Sequence, residues 1–311
     1  MIRDNSKPSI LEANSFYLFI GIILLTLGSY AQIKGIYTGL LITEYIIILA
    51  PTIFFLKMRG YSLKKVLRLN KISLKQALII PIIVVFSYPI GVFFNYLMMI
   101  ILNLFGKINP NPIPIPENGQ EMIIGLIVVA LSAGICEEIM FRGFIMKAYE
   151  KKGIKAGIMY SALLFGVFHF NIQNLLGPMF LGVLFGYIVY RTDSIFSSMI
   201  AHTTNNAFAL ILGMLITKIN IDPEMAADVA VASGAILDTA TMIIGAIGIG
   251  FIAVVCGVIV YFLLRLLPKG ENIQQEDTNA SFQENVSIVS FIPLFIVFLI
   301  FIYTIYVAFT M

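Results

Sequence analysis

Long apolar runs alternate with short polar connections along the whole 311-residue chain. A helix that crosses a bilayer needs ~20 mostly apolar residues rising 1.5 Å each. Such runs recur near 15–33, 39–57, 76–105, 121–146, 155–174, 175–191, 195–217, 240–267 and 287–310. They predict an all-α fold, a polytopic transmembrane bundle of about nine helices. The third run is long and holds Pro81 and Pro89, which predicts a kink, a steep tilt or a projecting end. The first is long for a signal-peptide core and no small-residue cleavage site follows it, so it is expected to stay as a helix.

The connections differ in kind. Residues 57–75 form a basic loop, 107–120 are rich in Pro and Asn, 218–238 are mildly acidic, and 269–285 make a polar linker before a last helix that looks appended. The chain thus divides into N-terminal helices (1–120), a central core (121–217) and C-terminal helices (218–311). No internal repeat is visible. Gly245, Gly248 and Gly250 sit in an apolar run and read as packing notches, not as a phosphate loop.

Composition agrees with the pattern. The chain is 59% hydrophobic and only 12% charged, with mean hydropathy +0.95, whereas a soluble domain carries roughly 25% charged residues. An ordinary soluble enzyme is excluded. The net charge of +3 is spread over loops, so there is no basic face to track nucleic acid. Cys136 and Cys256 lie inside apolar runs without metal-type spacing and are expected to be small buried hydrophobes. With the N-terminus inside, sixteen Lys and Arg fall on the inner side and three, Lys34, Lys107 and Lys218, on the outer. That asymmetry predicts a cell-membrane protein with the N-terminus cytoplasmic and the C-terminus outside.

Candidate chemistry stands out against this apolar background. Ala133-Gly-Ile-Cys-Glu137-Glu138-Ile-Met-Phe-Arg142-Gly143 sets two adjacent carboxylates inside the fourth span. Each ionised group costs about 2.5–3.5 kcal/mol at the bilayer centre even on the lenient insertion scale. Glu138 and Arg142, four apart, can pair on one helix face, which leaves Glu137 free for another task. The same cluster also fits a snorkelling patch at the helix end. Both histidines of the chain lie in later runs: Phe165-Gly-Val-Phe-His169-Phe-Asn171 and His202-Thr-Thr-Asn205-Asn206. A lone histidine on an apolar helix is usually a satisfied interior residue, but two with two Glu, an Arg and an Asn in consecutive helices suggest a site.

Helix rise and hairpin geometry offer a check. If Lys151-Lys152-Gly153 turns between helices four and five, Glu138 lies fifteen residues before Gly153 and His169 sixteen after it. Antiparallel packing then sets them at one level. His202 lies seven residues past Ile195, or roughly 10 Å deep. All these groups can meet in one buried pocket opening towards the cytoplasm. Glu44, in the second run, is expected near the interface.

Glu137-Glu138-x-x-x-Arg142, Phe165-x-x-x-His169 and His202-x-x-x-Asn206, in that order, resemble the three motifs of the CPBP family of intramembrane proteases, the type II CAAX prenyl endopeptidases or Abi family. The stretch Arg191-Thr-Asp-Ser-Ile-Phe-Ser-Ser-Met-Ile-Ala-His202 is similar to the family's pattern as well, and the likeness covers roughly 121–212. It implies an intramembrane endopeptidase whose catalytic core is helices four to seven. Glu137 would be the general base and His169 its partner on the water; His202 and Asn206 would stabilise the oxyanion, and Glu138 and Arg142 would orient the site.

The resemblance implies no cofactor and a membrane-associated protein or peptide substrate, prenylated in the family's eukaryotic and archaeal members. Two His and two Glu could also satisfy zinc, but they lack the His-Glu-x-x-His spacing of a zincin. An idle relative acting in bacteriocin immunity or as a scaffold is the alternative, and a transporter comes third, because intramembrane ionisable residues also mark ion paths.

Overall fold

A computed structural model describes residues 7–106, 115–218, 239–270 and 286–310. Among them nine main helices follow one another: α1 Ile10–Lys34, α2 Ile36–Met58, α3 Leu74–Asn103, α4 Gly119–Lys152, α5 Ile154–Val167, α6 Leu176–Thr192, α7 Ile195–Lys218, α8 Ala240–Leu266 and α9 Ile288–Thr310. No strand occurs among the described residues. Seven of the helices are long and apolar enough to span a bilayer, while α5 and α6 are shorter. The protein is a multi-pass helical membrane bundle. The acidic stretch 219–238 and most of the Pro-rich and polar connections expected from the sequence lie outside the described residues.

Local chemistry sets the helix starts. The free N–H groups at the head of α1 are met by a capping box: Glu12 N–H donates to Ser9 Oγ (3.2 Å) and Ser9 N–H to Glu12 Oε2 (2.9 Å). Ser73 and Gln76 do the same for α3, and Asn118 Oδ1 accepts from Glu121 N–H at the head of α4 (3.0 Å). α1 therefore begins five residues earlier than the apolar run. α3 continues through both prolines. α4 widens into i→i+5 turns at Leu126–Ser132 and Ile139–Ile145, on either side of Ala133–Glu138, a departure that recurs at functional sites.

The largest difference from the sequence pattern is at α5, which ends at Val167 and not near 174. Phe170 takes a left-handed backbone (φ 46°), and Gln173 N–H donates to Asn171 Oδ1 (2.9 Å), so a local turn replaces the helix. Fourteen residues cover about 21 Å, short of the ~30 Å hydrocarbon core. α5 and α6 thus form a hairpin whose polar tip, 168–175, ends within the bundle. Irregular backbone is tolerated at such depth only where protein or a wet cavity surrounds it. Here Asn95 of α3 receives the tip, its Oδ1 accepting from Gly177 N–H (2.7 Å) and its Nδ2 donating to Asn174 Oδ1 (2.9 Å).

Two apolar cores hold the bundle. One packs Tyr17, Phe141, Phe144, Phe165 and Phe168 of α1, α4 and α5; the other packs Ile80, Ile83, Phe185 and Ile188 of α3 and α6. Lipid tails are as apolar as these side chains, so close packing and interhelical hydrogen bonds must carry association. Tyr17 Oη donates to Leu164 O (2.8 Å), Tyr149 Oη to Asn14 Oδ1 (2.7 Å), and Asn14 Nδ2 to Ser290 O (2.7 Å). The last of these ties α9 to α1, and Val297 of α9 belongs to the first core. Gly250 of α8 admits Phe93 of α3 at 3.0 Å from a built Cβ, so it acts as a packing notch.

Candidate active site

α4 and α7 bring Glu137, Glu138, Arg142 and His202 together, and Phe165 of α5 packs against Arg142, His169 and His202. Glu138 and Arg142 are both fully buried and lie one turn apart, with Arg142 Nη1 donating to Glu138 Oε1 at 2.9 Å. The same oxygen accepts from His202 Nδ1 of α7 at 2.9 Å. The α4–α7 approach depends on Gly134, where a built Cβ would stand 2.9 Å from Thr203 N and 3.2 Å from Met199 O.

Because Nδ1 of His202 donates to a carboxylate, its Nε2 faces the other way, 3.9 Å from Glu137 Oε2. That is longer than a direct hydrogen bond. Glu137 is the more open of the two glutamates, its side chain 14% exposed against 0% for Glu138. The pair reads as one carboxylate spent on holding Arg142 and His202 and one left available.

Phe165 links the remaining groups. The Arg142 guanidinium lies over its ring at 4.3 Å, and the rings of His169 and His202 meet its edge at 5.3 and 5.6 Å. Phe185 of α6 covers the far side of His202 at 5.5 Å. The antiparallel register expected for α4 and α5 appears as Phe141 against Phe165 (5.1 Å) and as Ser161 Oγ donating to Phe141 O (2.9 Å).

His169 occupies the exposed turn just past α5, not the helix interior expected for it. Its Nδ1 stands 3.0 Å from Phe165 O. A carbonyl only accepts, so Nδ1 carries the hydrogen and Nε2 is left free. Asn206 Nδ2 donates to Val129 O (3.0 Å), and its Oδ1 accepts from Asn205 Nδ2 (3.1 Å). One amide hydrogen of Asn206 remains for another acceptor.

Glu44 corrects the sequence expectation. It is 5% exposed, with Oε2 buried and without a hydrogen-bond partner, and it lies on the Ile42–Leu49 stretch of α2 that packs against Ala133–Glu138 of α4. Tyr45 beside it meets Ser132 of α4, Ser132 Oγ donating to Tyr45 Oη at 3.3 Å. The signal was in the sequence, as an ionisable residue in an apolar run, but nothing in the spacing placed α2 against α4. Among the described residues no three His, Cys, Asp or Glu side chains gather within reach of one ion.

Residues 119–208 match the family model of the type II CAAX prenyl endopeptidase, Rce1-like. The match spans α4 to α6 and most of α7, and so includes Glu137, Glu138, Arg142, His169, His202 and Asn206. The chain is also similar, at 31% identity over 108 residues, to a Bacillus subtilis (strain 168) protein named YdiL and described as a candidate membrane peptidase. That alignment covers 34% of this chain and 44% of the relative's own length. No solved structure matches the chain significantly.

Proposed function

We propose that this protein is an intramembrane endopeptidase that hydrolyses a peptide bond of a membrane-associated substrate with a water activated by Glu137. The observation that carries the reading is His202, fixed by Glu138 at 2.9 Å and turned towards Glu137 at 3.9 Å. Glu138 and Arg142 are committed to orienting it, so Glu137 is left as the base.

In this scheme Glu137 takes a proton from water while His169 Nε2 holds the water, and the hydroxide adds to the scissile carbonyl. The resulting oxyanion is met by the free amide hydrogen of Asn206 and by His202, which Glu138 orients through Nδ1. When the C–N bond breaks, Glu137 returns the proton to the leaving amine. The chemistry uses no metal. A substrate carrying a prenylated cysteine is the family's type, and the excess of Lys and Arg on one side of the spans supports a cytoplasmic N-terminus.

The test is cleavage of prenylated and unmodified membrane-tethered peptides by purified protein in detergent, with Glu137→Ala and a chelator arm. We expect Glu137→Ala to lower cleavage at least ~10³-fold and the chelator to leave it unchanged. Loss on chelation would overturn the metal-free reading, and an active Glu137→Ala would overturn the role of Glu137. Absence of cleavage across the whole panel would move the protein to the immunity or scaffold role.

A further inference from the structure

The imidazole of His169 hangs from a turn and not from a helix. α5 has ended at Val167, and Phe170, the residue after His169, takes a left-handed backbone (φ 46°). The contact of Nδ1 with Phe165 O at 3.0 Å tilts the ring, but the backbone that carries the ring leaves the helix there. Two grips on that backbone come from α1 and α3, which lie outside the stretch 119–208 that matches the family.

On one side the Phe170 ring rests on α1 at Gly21, where a built Cβ would stand 3.2 Å from Cζ. On the other, Asn95 of α3 bonds both to the turn and to the head of α6. Gly177 N–H can only donate, so the Asn95 atom that meets it at 2.7 Å is Oδ1. Nδ2 of the same amide is thereby turned to Asn174 Oδ1 at 2.9 Å.

Both bonds answer a local need. The first N–H groups of a helix lack partners within it, and Leu175, which precedes α6, offers no side-chain cap. Asn95 supplies that cap from another helix, and Gly177 admits it, since a built Cβ there would stand 2.6 Å from the amide. From Asn174 the grip passes along the turn. Its N–H donates to Asn171 O at 3.2 Å, and Asn171 Oδ1 accepts from Gln173 N–H at 2.9 Å. Asn171 stands two residues from His169.

We propose that Asn95 is a positioning residue for His169: by capping α6 and bonding Asn174 at once, it sets where the turn, and with it the free Nε2 of His169, stands in the site. This deepens the proposed function and rests on it for the role of His169. It also extends the catalytic unit to α3, although the family likeness begins only at α4.

Histidine occurs only at 169 and 202, so protein carrying isotopically labelled histidine gives two sets of imidazole NMR signals, assigned with His169→Gln and His202→Gln. In detergent we expect Asn95→Leu to move the His169 signals and leave those of His202 in place. Asn95→Asp keeps an acceptor for Gly177 N–H and, with the Asn174 amide turned over, one for Asn174 Nδ2, so its His169 signals should match the wild type. Asn174→Ala removes one of the two bonds and should move the same signals less, which keeps the test in hand if Asn95→Leu does not fold. Asn70→Ala, which loses two hydrogen bonds to Asp193 at the other end of α6, controls for lost stability alone and should move neither histidine. In the cleavage assay kcat should fall roughly tenfold to a hundredfold in Asn95→Leu at unchanged KM, and recover in Asn95→Asp.

His169 signals that stay at their wild-type positions in Asn95→Leu and Asn174→Ala would overturn the proposal. So would His169 and His202 signals displaced alike, the mark of a general loosening, or a wild-type kcat beside moved His169 signals. A wild type that cleaves nothing in the panel sinks the proposed function instead, and the signals then decide alone whether Asn95 places His169.

Discussion

Two buried clusters of charge in this bundle are built from the same residue types to opposite ends. At the Lys152 end of α4, Arg68 pairs with Glu150 (2.5 Å) and Asp193 (3.1 Å), and Lys147 meets Glu150 at 3.2 Å. Asn70 Nδ2 donates to Asp193 O (2.7 Å) and Oδ2 (2.9 Å). Two acids face two bases, and the network clamps the α2–α3 loop onto the α6–α7 turn. Arg68 and Asp193 both hold left-handed backbones (φ 48° and 50°), which cost on the order of 1 kcal/mol or more each and persist only where the surroundings fix them. In the candidate site the balance fails: Glu138 holds both Arg142 and His202, Glu137 stands 3.9 Å from His202, and Glu44 is buried with Oε2 unpartnered. A balanced cluster holds parts together, whereas an unbalanced one keeps a carboxylate in reserve for chemistry.

Removing one carboxylate from each cluster tests this contrast with the largest effects. Glu138→Ala removes the carboxylate that Arg142 and His202 share, and Glu150→Ala removes the one that Arg68 and Lys147 share. Each should cost about 3–5 kcal/mol of stability, the usual penalty for an uncompensated buried charge. The clusters separate in kinetics. Glu138→Ala is expected to lower kcat by roughly 10³-fold in the folded fraction, while folded Glu150→Ala should cleave at the wild-type rate. A kcat loss in Glu150→Ala with KM unchanged would break the distinction.

A smaller effect sharpens it. Gly134 lets α7 approach beside the site, and Gly157 lets α5 approach beside the clamp, where a built Cβ would stand 2.9 Å from Glu150 Cγ. Alanine at either position overpacks the contact, which costs about 1–3 kcal/mol. Gly134→Ala should also move His202 away from Glu137 and lower kcat roughly a hundredfold, because misplacement near 1 Å is that expensive. Gly157→Ala should leave kcat unchanged. Thermal unfolding in detergent and initial rates would read both.

The helices, their order and the motif residues were legible in the sequence because each depends on local pattern: apolar run length, and ionisable residues that hydrocarbon does not tolerate without cause. The antiparallel level of Glu138 and His169 was legible too, since a tight turn at Gly153 fixes it by counting. What escaped was tertiary. The end of α5 at Val167 is decided by the turn at Phe170 and Asn171 and by Asn95 of α3, and no apolar count registers them. Glu44 lies far from Glu137 in sequence, and only the packing of α2 on α4 reveals that it is not interfacial. Phe165 looked like a motif letter, yet its ring contacts Arg142, His169 and His202 together.

The smallest effect in the series comes from the two asparagines. Asn70 spends its amide on Asp193, while Asn206 spends one hydrogen on Val129 O and keeps another free. Replacing either by alanine removes ordinary hydrogen bonds, worth about 1 kcal/mol net, so unfolding temperatures should fall by similar small amounts. If the free hydrogen of Asn206 meets the oxyanion, its bond is charge-assisted in the transition state and absent in the ground state. Asn206→Ala should then lower kcat roughly tenfold at constant KM, and Asn70→Ala should change neither constant. Equal kcat values in the two variants would mean that Asn206 is only a bundle-packing residue, and the oxyanion would have to rest on His202 alone.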